Sequence, residues 1–347
     1  MSIELFWDTG SAYDLFTSLF VLHHPEDFGL RPSWAAGVRS RLGASDRIIL
    51  EKAFSFLPFP FRLLAGMPGL KDARAGLDYL ETILPADRLD LLMIHATTPE
   101  SVVDLLHRVG STGHFSEADL DTVRKIYIRR GRPVSAHDVA NLLDAWASRE
   151  NFGEQYLIAL RGYYDAFFFE EENRVSSAQK RALAMAQQMA RELPVPDLLE
   201  KLSHGVSFTA YLNVARVTLI PSYWSNPLIF FNLISPDHLL ILYGGRPETE
   251  SLIPGEVVPE GLLNVLKGLA DPTRLQILKY LVEQPLTPKQ LAQKLRLRPP
   301  TVIHHLKILR LAGLVWIRLE NDTERCYAAR IETLTEKLTN LQDFLAN

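Results

Sequence analysis

A helix start signal stands close to the carboxyl end of the chain, in the run LTPKQLAQKL that begins at Leu286. Thr287 can cap the helix with its side-chain oxygen, Pro288 suits the first helical position, and Gln290 completes a capping box. Leu286 and Leu291 lie on either side of this cap, where two apolar side chains form a hydrophobic staple. The run therefore predicts a short helix with a fixed point of entry.

A second helix is predicted after the link Arg296-Leu297-Arg298, because the next two residues are prolines, which a helix tolerates only in its first turn. Its inner face is apolar at helical spacing and comprises Val302, Leu306 and Leu309. Its outer face, near the N-terminal end, comprises Pro300, Ile303, His304 and Lys307. Two helices joined this closely are typical of a helix-turn-helix, whose second helix enters the major groove of DNA.

Two strands are predicted beyond the second helix. Gly313 can end that helix, and residues 315–320 then alternate between apolar and polar side chains. After the polar turn Asn321-Asp322-Thr323, a second strand is predicted over 325–330. A hairpin in this place is typical of a winged helix, and Arg325 is placed to contact a phosphate.

Residues 262–347 resemble the ArsR family of bacterial winged-helix repressors. The likeness is carried by LADPTRLQIL from Leu269, by HHLKILR from His304 and by AGLV from Ala312. It implies a homodimer on double-stranded DNA with a two-fold-symmetric, palindromic operator, and a dimer interface formed by the first and last helices of the module.

The sequence is compatible with such an interface, because each of the two helices is predicted to carry an apolar stripe. The stripe of the last helix comprises Leu334, Leu338, Leu341 and Leu345, and that of the first comprises Leu262, Leu263, Leu266 and Leu269.

The chain also departs from the family pattern. Many members sense metals through a cysteine-containing segment before the turn, where this chain reads KQLAQ from Lys289. The single cysteine, Cys326, is in the predicted wing, and a metal site needs several converging ligands. We therefore expect no metal site and no cofactor. Ile303 replaces a serine usual in the family, and Arg298-Pro299 replaces the usual Ser or Asn cap.

Nine residues are candidates for contact with DNA. Those expected to hold phosphates are Thr287, Lys289, Arg298, Lys307 and Arg325. The others are Gln290, Thr301, Ile303 and His304. Among these, His304 is predicted to read a base edge and Ile303 to favour a thymine methyl, whereas His305 falls nearer the core side of the helix.

Charge distinguishes this region from the rest of the chain. The whole sequence of 347 residues has a net charge of −4, yet residues 262–318 contain 10 Lys and Arg against 2 acidic residues. Such a basic surface is expected where a protein holds phosphates. Length and turn-rich clusters predict an N-terminal domain at 1–243, a linker at 244–261 and the winged helix-turn-helix at 262–347.

The N-terminal region is predicted to be mainly helical, so that the fold class is mainly α with a small β part. Amphipathic helices are predicted at 12–22, 118–129, 138–148, 155–172 and 177–193. Short apolar runs at 214–220, 228–234 and 239–243 predict three strands of a small antiparallel sheet. The segments AYDLFTSL from Ala12, LHHP from Leu22 and LIPS from Leu219 resemble a helical extension of some ArsR-like regulators, for which no ligand is assigned.

Two groups of N-terminal residues have both a functional and a structural interpretation. His23, His24 and Asp27 could bind a metal, although adjacent helical side chains diverge by about 100° and seldom reach one ion. The aromatic residues at 54–61 and 163–169 could line a pocket for an apolar effector or pack into the core.

The sequence favours a dimeric, sequence-specific transcription repressor whose N-terminal domain senses a small molecule or a protein partner. Phosphate-binding loops, dinucleotide fingerprints, nucleophile elbows and zinc-protease motifs are all missing, so an enzyme is not expected. The alternative is an enzyme or protein-interaction domain that uses the winged helix for dimerisation or recruitment. Without a signal segment or a long apolar run, the expected location is the cytoplasm, away from membranes.

Overall fold

The computed structural model describes residues 3–129, 135–247, 250–253, 258, 260–319 and 325–346. Helices α1 to α12 are Ser11–His23, Pro32–Ser40, Ala44–Phe54, Phe61–Gly66, Ala73–Thr82, Arg88–Met93, Glu100–Thr112, Glu117–Arg129, Ala136–Ala147, Arg149–Tyr163, Phe169–Met189 and Val195–Leu202. Helices α13 to α17 are Glu260–Leu269, Pro272–Glu283, Pro288–Leu295, Pro299–Leu311 and Ile331–Ala346. Strands β1 to β7 are Glu4–Trp7, Val206–Ser207, Arg216–Ser222, Phe230–Ser235, His238–Gly244, Val315–Leu319 and Arg325–Ala329.

The predicted mainly helical fold with a small β part is confirmed. A π-helical turn, Tyr164–Phe168, joins α10 to α11, so the helices predicted at 155–172 and 177–193 are parts of one continuous helical run. Three short 3₁₀ turns occur among the described residues, at Pro25–Phe28, Pro85–Asp87 and Thr209–Tyr211. Within the described ranges, no helix combines the length and the apolar character that crossing a bilayer requires.

The N-terminal sheet contains four strands in the order β1-β3-β5-β4. All three strands predicted near 214–243 are present. The predicted antiparallel pairing holds for β4 and β5 but not for β3 and β5, which are parallel. The pattern of apolar residues reports burial, not strand direction, and β4 folds back on the outer side of β5 so that β5 can pair with β3. Strand β1 was not predicted; it adds in parallel to the far side of β3.

The two central strands of this sheet, β3 and β5, are buried on both faces, because they separate two hydrophobic cores. In β5, Leu240 and Leu242 belong to the core formed with helices α1 to α11. Leu239, Ile241 and Tyr243 face the second core, which continues through α12 into the carboxyl-terminal helices. A strand buried on both faces needs apolar residues at every position, which explains the unbroken run in β5.

The carboxyl-terminal module is packed against the rest of the chain. Its small sheet has the order β2-β6-β7, so a strand preceding residue 244 extends the wing hairpin. On the other side, Gly29, with φ of 77°, follows the Pro25–Phe28 turn and lies against Asn264 of α13. This positive φ favours glycine, and a Cβ at Gly29 would also stand 2.7 Å from the Asn264 amide nitrogen. This turn therefore lies beside the helix-turn-helix.

Candidate nucleic-acid interface

Helix α15 begins with the predicted capping box. The Thr287 hydroxyl accepts a hydrogen bond from the Gln290 N–H at 3.3 Å, and the Gln290 side-chain oxygen accepts one from the Thr287 N–H at 2.8 Å. Leu286 and Leu291 are both buried beside the cap. Arg296 ends the helix in the left-handed region with φ of 55°, which turns the chain toward α16. The first helix and the turn are thus confirmed.

Helix α16 has the two faces that its sequence predicts. Val302, Leu306 and Leu309 are buried. On the opposite face Ile303 is 52% exposed, and His304 and Lys307 are exposed as well. Arg298 stands at the cap position without a side-chain hydrogen bond to the helix, consistent with its replacing the family's usual capping residue. The N-terminal half of α16 therefore presents both polar and apolar groups to solvent.

The remaining candidates lie on α15 or its cap, at the start of α16 and on β7. Lys289, Arg298, Thr301 and Arg325 are all exposed. Thr287 is half-buried, and its hydroxyl and the Gln290 side chain are both used in the cap of α15. Contact of any of these residues with DNA stays a prediction.

Lys307 is held by a residue from the N-terminal part of the chain. Its ammonium group forms an ion pair with the carboxylate of Asp27 in the Pro25–Phe28 turn. The Lys307 side chain is 47% exposed and that of Asp27 31% exposed, so the pair lies at the surface. The ammonium group that is predicted to bind a DNA phosphate is thus paired with a carboxylate of the same chain.

The two adjacent histidines of α16 have different surroundings. His304 is exposed, whereas only 14% of the His305 side chain is exposed, and its Nδ1 lies 3.9 Å from Asp271 Oδ1. Burial lowers the pKa of His305 although Asp271 opposes the shift, so His305 is neutral at pH 7. Asp271 caps α14 by accepting from the Arg274 N–H, and this hydrogen bond lowers the pKa of Asp271. His305 therefore packs against the cap of α14, while His304 faces outward.

Arg310, at the end of α16, is half-buried within the module. Burial lowers its pKa to about 10, and the side chain lies near Tyr327 and Arg325 of β7. It still carries a charge at pH 7.

Arg330 lies over the ring of Trp316 at 4.6 Å and donates to the His204 carbonyl, which ties the wing to the chain ahead of β2. The wing is thus fixed at its base; residues 320–324, which include its predicted polar turn, lie outside the described residues.

A sequence profile described as "Bacterial regulatory protein, arsR family" matches residues 271–316. An uncharacterized HTH-type transcriptional regulator of Methanocaldococcus jannaschii is 40% identical over 62 residues, which make up 18% of this chain and 70% of that protein. The chain belongs to the ArsR family. The ArsR match begins at the cap of α14 and ends in β6, so it covers the helix-turn-helix and the start of the wing, and the predicted resemblance is confirmed.

The metal site of many ArsR proteins does not fit this chain. Residues 289–293 supply no thiolate, imidazole or carboxylate. Among the described residues, no three His, Cys, Asp or Glu side chains are grouped so that they could hold an ion. The His23 Nδ1 lies 2.9 Å from the Leu19 carbonyl and its ring stacks on Phe54, while Asp27 binds Lys307. We therefore derive no role for a metal.

Asp27 is a residue of this interface whose role the sequence does not predict. Its sequence position suggested only a metal ligand beside two histidines. No local pattern connects it with Lys307, because the two residues are 280 positions apart and meet only when the two parts of the chain pack together. Of the aromatic residues at 54–61, Phe61 is buried in the N-terminal core, and Phe56 and Phe59 pack half-buried against it. Phe54 and Phe59 line a cavity with a volume of only about 40 Å³.

Proposed function

We propose that this ArsR-family protein is a sequence-specific, dimeric DNA-binding repressor that lacks the metal-sensing cysteines, with an N-terminal part that responds to a ligand or partner. The observation that carries the proposal is the exposed face of α16, with His304, Ile303 and Lys307 next to Arg298. Residues at the N-terminal end of a recognition helix contact base edges, and flanking cations hold phosphates. A protein of this kind works where chromosomal DNA is, in the cytoplasm.

Exposed leucines on two helices support the proposed homodimer. Leu266 of α13 is 39% exposed, and Leu338 and Leu345 of α17 are 45% and 74% exposed. Helices α13 and α17 pack against each other within one chain. Apolar side chains left exposed on neighbouring helices favour a self-complementary interface, and a two-fold dimer would present two α16 helices to successive half-sites.

Selection from random duplex DNA tests the proposal. The full-length chain is mixed with a library of random duplexes at low salt, and the retained fragments are sequenced over several rounds. The proposal expects enrichment of one motif with two-fold symmetry and half-sites about one helical turn apart. A variant with His304→Ala and Arg298→Ala is the matched control and is expected to lose that enrichment.

Retention of DNA without any enriched motif would contradict sequence-specific binding. Failure to retain DNA at all would favour the alternative function, in which the winged helix serves dimerisation or recruitment of another domain. Enrichment of a single asymmetric half-site would contradict the dimer.

A further inference from the structure

A cavity opens at the surface of the N-terminal part where α1, α2 and α3 meet. Its volume is about 360 Å³, within the range of pockets that hold small organic ligands. The apolar part of its lining comprises Leu22, Leu42, Ala44, Ile48 and Leu50. Ile48 is 66% exposed at the rim, whereas the three leucines are buried. The cavity therefore has an apolar floor that is open to solvent on one side.

Two arginines, Arg39 and Arg47, line the same cavity. Arg39 donates one hydrogen bond, from Nη2 to the Leu22 carbonyl at 2.8 Å, and this bond fixes the guanidinium at the cavity wall. Among the residues that the structure describes, neither arginine forms an ion pair. Glu51 is the one carboxylate in the lining. The cavity thus combines apolar walls with an excess of positive charge.

His23 adds a neutral polar group to this lining. Its ring stacks on Phe54 with centroids 4.3 Å apart, and Nδ1–H donates to the Leu19 carbonyl. Because a carbonyl only accepts, this hydrogen bond leaves Nε2 without a proton in the neutral ring. Burial keeps the ring uncharged at pH 7. The positive charge of the cavity therefore comes from the two arginines.

We propose that this cavity binds a small amphipathic carboxylate, with its acid group on Arg39 and Arg47 and its apolar body on the leucine floor. A guanidinium binds a carboxylate through paired N–H groups, which a neutral molecule cannot replace. A bare inorganic anion would leave the apolar floor uncovered, so the charge and the apolar body are both required.

The cavity is connected to the DNA-facing helix through a short segment. Helix α1 ends at His23, and the Pro25–Phe28 turn that follows carries Asp27, the partner of Lys307. A ligand bound at the end of α1 is expected to hold this turn in the position where Asp27 pairs with Lys307. Because Lys307 is then less free to bind a phosphate, we expect the bound ligand to weaken DNA binding. This second step rests on the proposed DNA-binding function, whereas the binding of the carboxylate does not.

Isothermal titration of the full-length chain without DNA tests the site. The probes are decanoate, 1-decanol and inorganic phosphate, each below the concentration at which it aggregates. Decanoate is expected to bind at least about tenfold more tightly than decanol, and phosphate more weakly still. Arg47→Gln is expected to weaken decanoate binding about tenfold. Arg41→Gln is the matched control, because Arg41 is exposed nearby and pairs with Glu170 outside the cavity lining.

Three results would overturn the proposed site. They are equal affinities for decanoate and decanol, an equal loss of decanoate affinity in Arg47→Gln and Arg41→Gln, and no binding of decanoate. Arg47 is exposed, so its loss leaves the packing intact, and a thermal melt confirms that the variant is folded.

The coupling is tested separately with labelled duplex DNA. Saturating decanoate is expected to weaken DNA binding by the wild-type chain and to leave binding by Asp27→Asn unchanged. An unchanged or increased DNA affinity of the wild type would overturn the coupling. If the chain binds decanoate but no DNA, the site stands and the proposed function fails.

Discussion

Asp27, in a 3₁₀ turn of the N-terminal part, forms an ion pair with Lys307 on the outer face of α16. The lysine is one of the groups that a winged helix of this kind would offer to a DNA phosphate. Because one ammonium group cannot pair fully with both partners, Asp27 and a phosphate compete for Lys307. Under the proposed function, the N-terminal part of the chain is thus placed to adjust DNA affinity directly.

Replacing Asp27 with Asn is expected to strengthen DNA binding. Surface ion pairs contribute about 0.2 to 1 kcal/mol, so the release of Lys307 should lower the dissociation constant by up to about fivefold. Fluorescence anisotropy with a labelled duplex measures the change. Glu26→Gln removes the same charge from the same turn and is the control, since Glu26 is exposed and its carboxylate is not the one that binds Lys307. Equal gains in both variants would show that overall charge, rather than the pair, is responsible.

His304→Ala is expected to change sequence preference more than overall affinity. An exposed side chain that reads one base edge supplies about 1 to 3 kcal/mol of discrimination at that position. Competition between the selected operator and its single-base variants measures this quantity. Equal weakening on every duplex would mean that His304 contacts the backbone or supports the helix instead.

Leu338→Asp on α17 is expected to dissociate the proposed dimer. A carboxylate without a partner in an apolar interface costs about 3 kcal/mol, which raises the dimer dissociation constant on the order of 100-fold. Sedimentation velocity measures the species present at micromolar concentration. Leu70→Asp is the matched control, because Leu70 is 82% exposed and lies outside α13 and α17. A wild-type chain that sediments as a monomer would remove the basis of this prediction.

His23 is expected to make stability depend on pH. Burial lowers its pKa from 6.5 to about 4, so between these values the unfolded chain binds a proton that the folded chain does not. The contribution of neutral His23 to the free energy of unfolding is therefore complete above pH 6.5 and is lost as the pH falls toward 4. His23→Phe keeps a ring against Phe54, and its unfolding free energy should fall less steeply over this window.

Urea unfolding at several pH values between 7.5 and 4.5 measures the slope. His114→Gln, at an exposed position, is the control and should keep the wild-type slope. A His23→Phe slope as steep as that of the wild type would contradict the assigned role.

The helix-turn-helix could be predicted because its signals are local. Thr287 and Gln290 are three residues apart, and Val302, Leu306 and Leu309 repeat at the period of one helix. Such patterns determine where a helix begins and which face is buried, whatever the rest of the chain does. The two strands of the wing follow from alternation in the same way.

The rest could not be predicted because it depends on distant contacts. Leu5 of β1 pairs in parallel with Val217 of β3, and nothing in either short segment specifies that partner. The pair between Asp27 and Lys307 and the cavity between α1, α2 and α3 likewise form only when separate elements pack. Sequence patterns indicate which residues are buried or charged, but not which of them meet.

The salt dependence of DNA binding tests the central claim, that the outer face of α16 binds duplex DNA, most directly. Anisotropy titrations of the wild type and Lys307→Ala are compared over a range of salt, with Lys279→Ala, an exposed lysine of α14, as the control. The wild type should bind with a steep slope, and Lys307→Ala should lower that slope by about one unit while the control does not. No binding by the wild type at low salt, or a slope unchanged by the loss of Lys307, would contradict the claim.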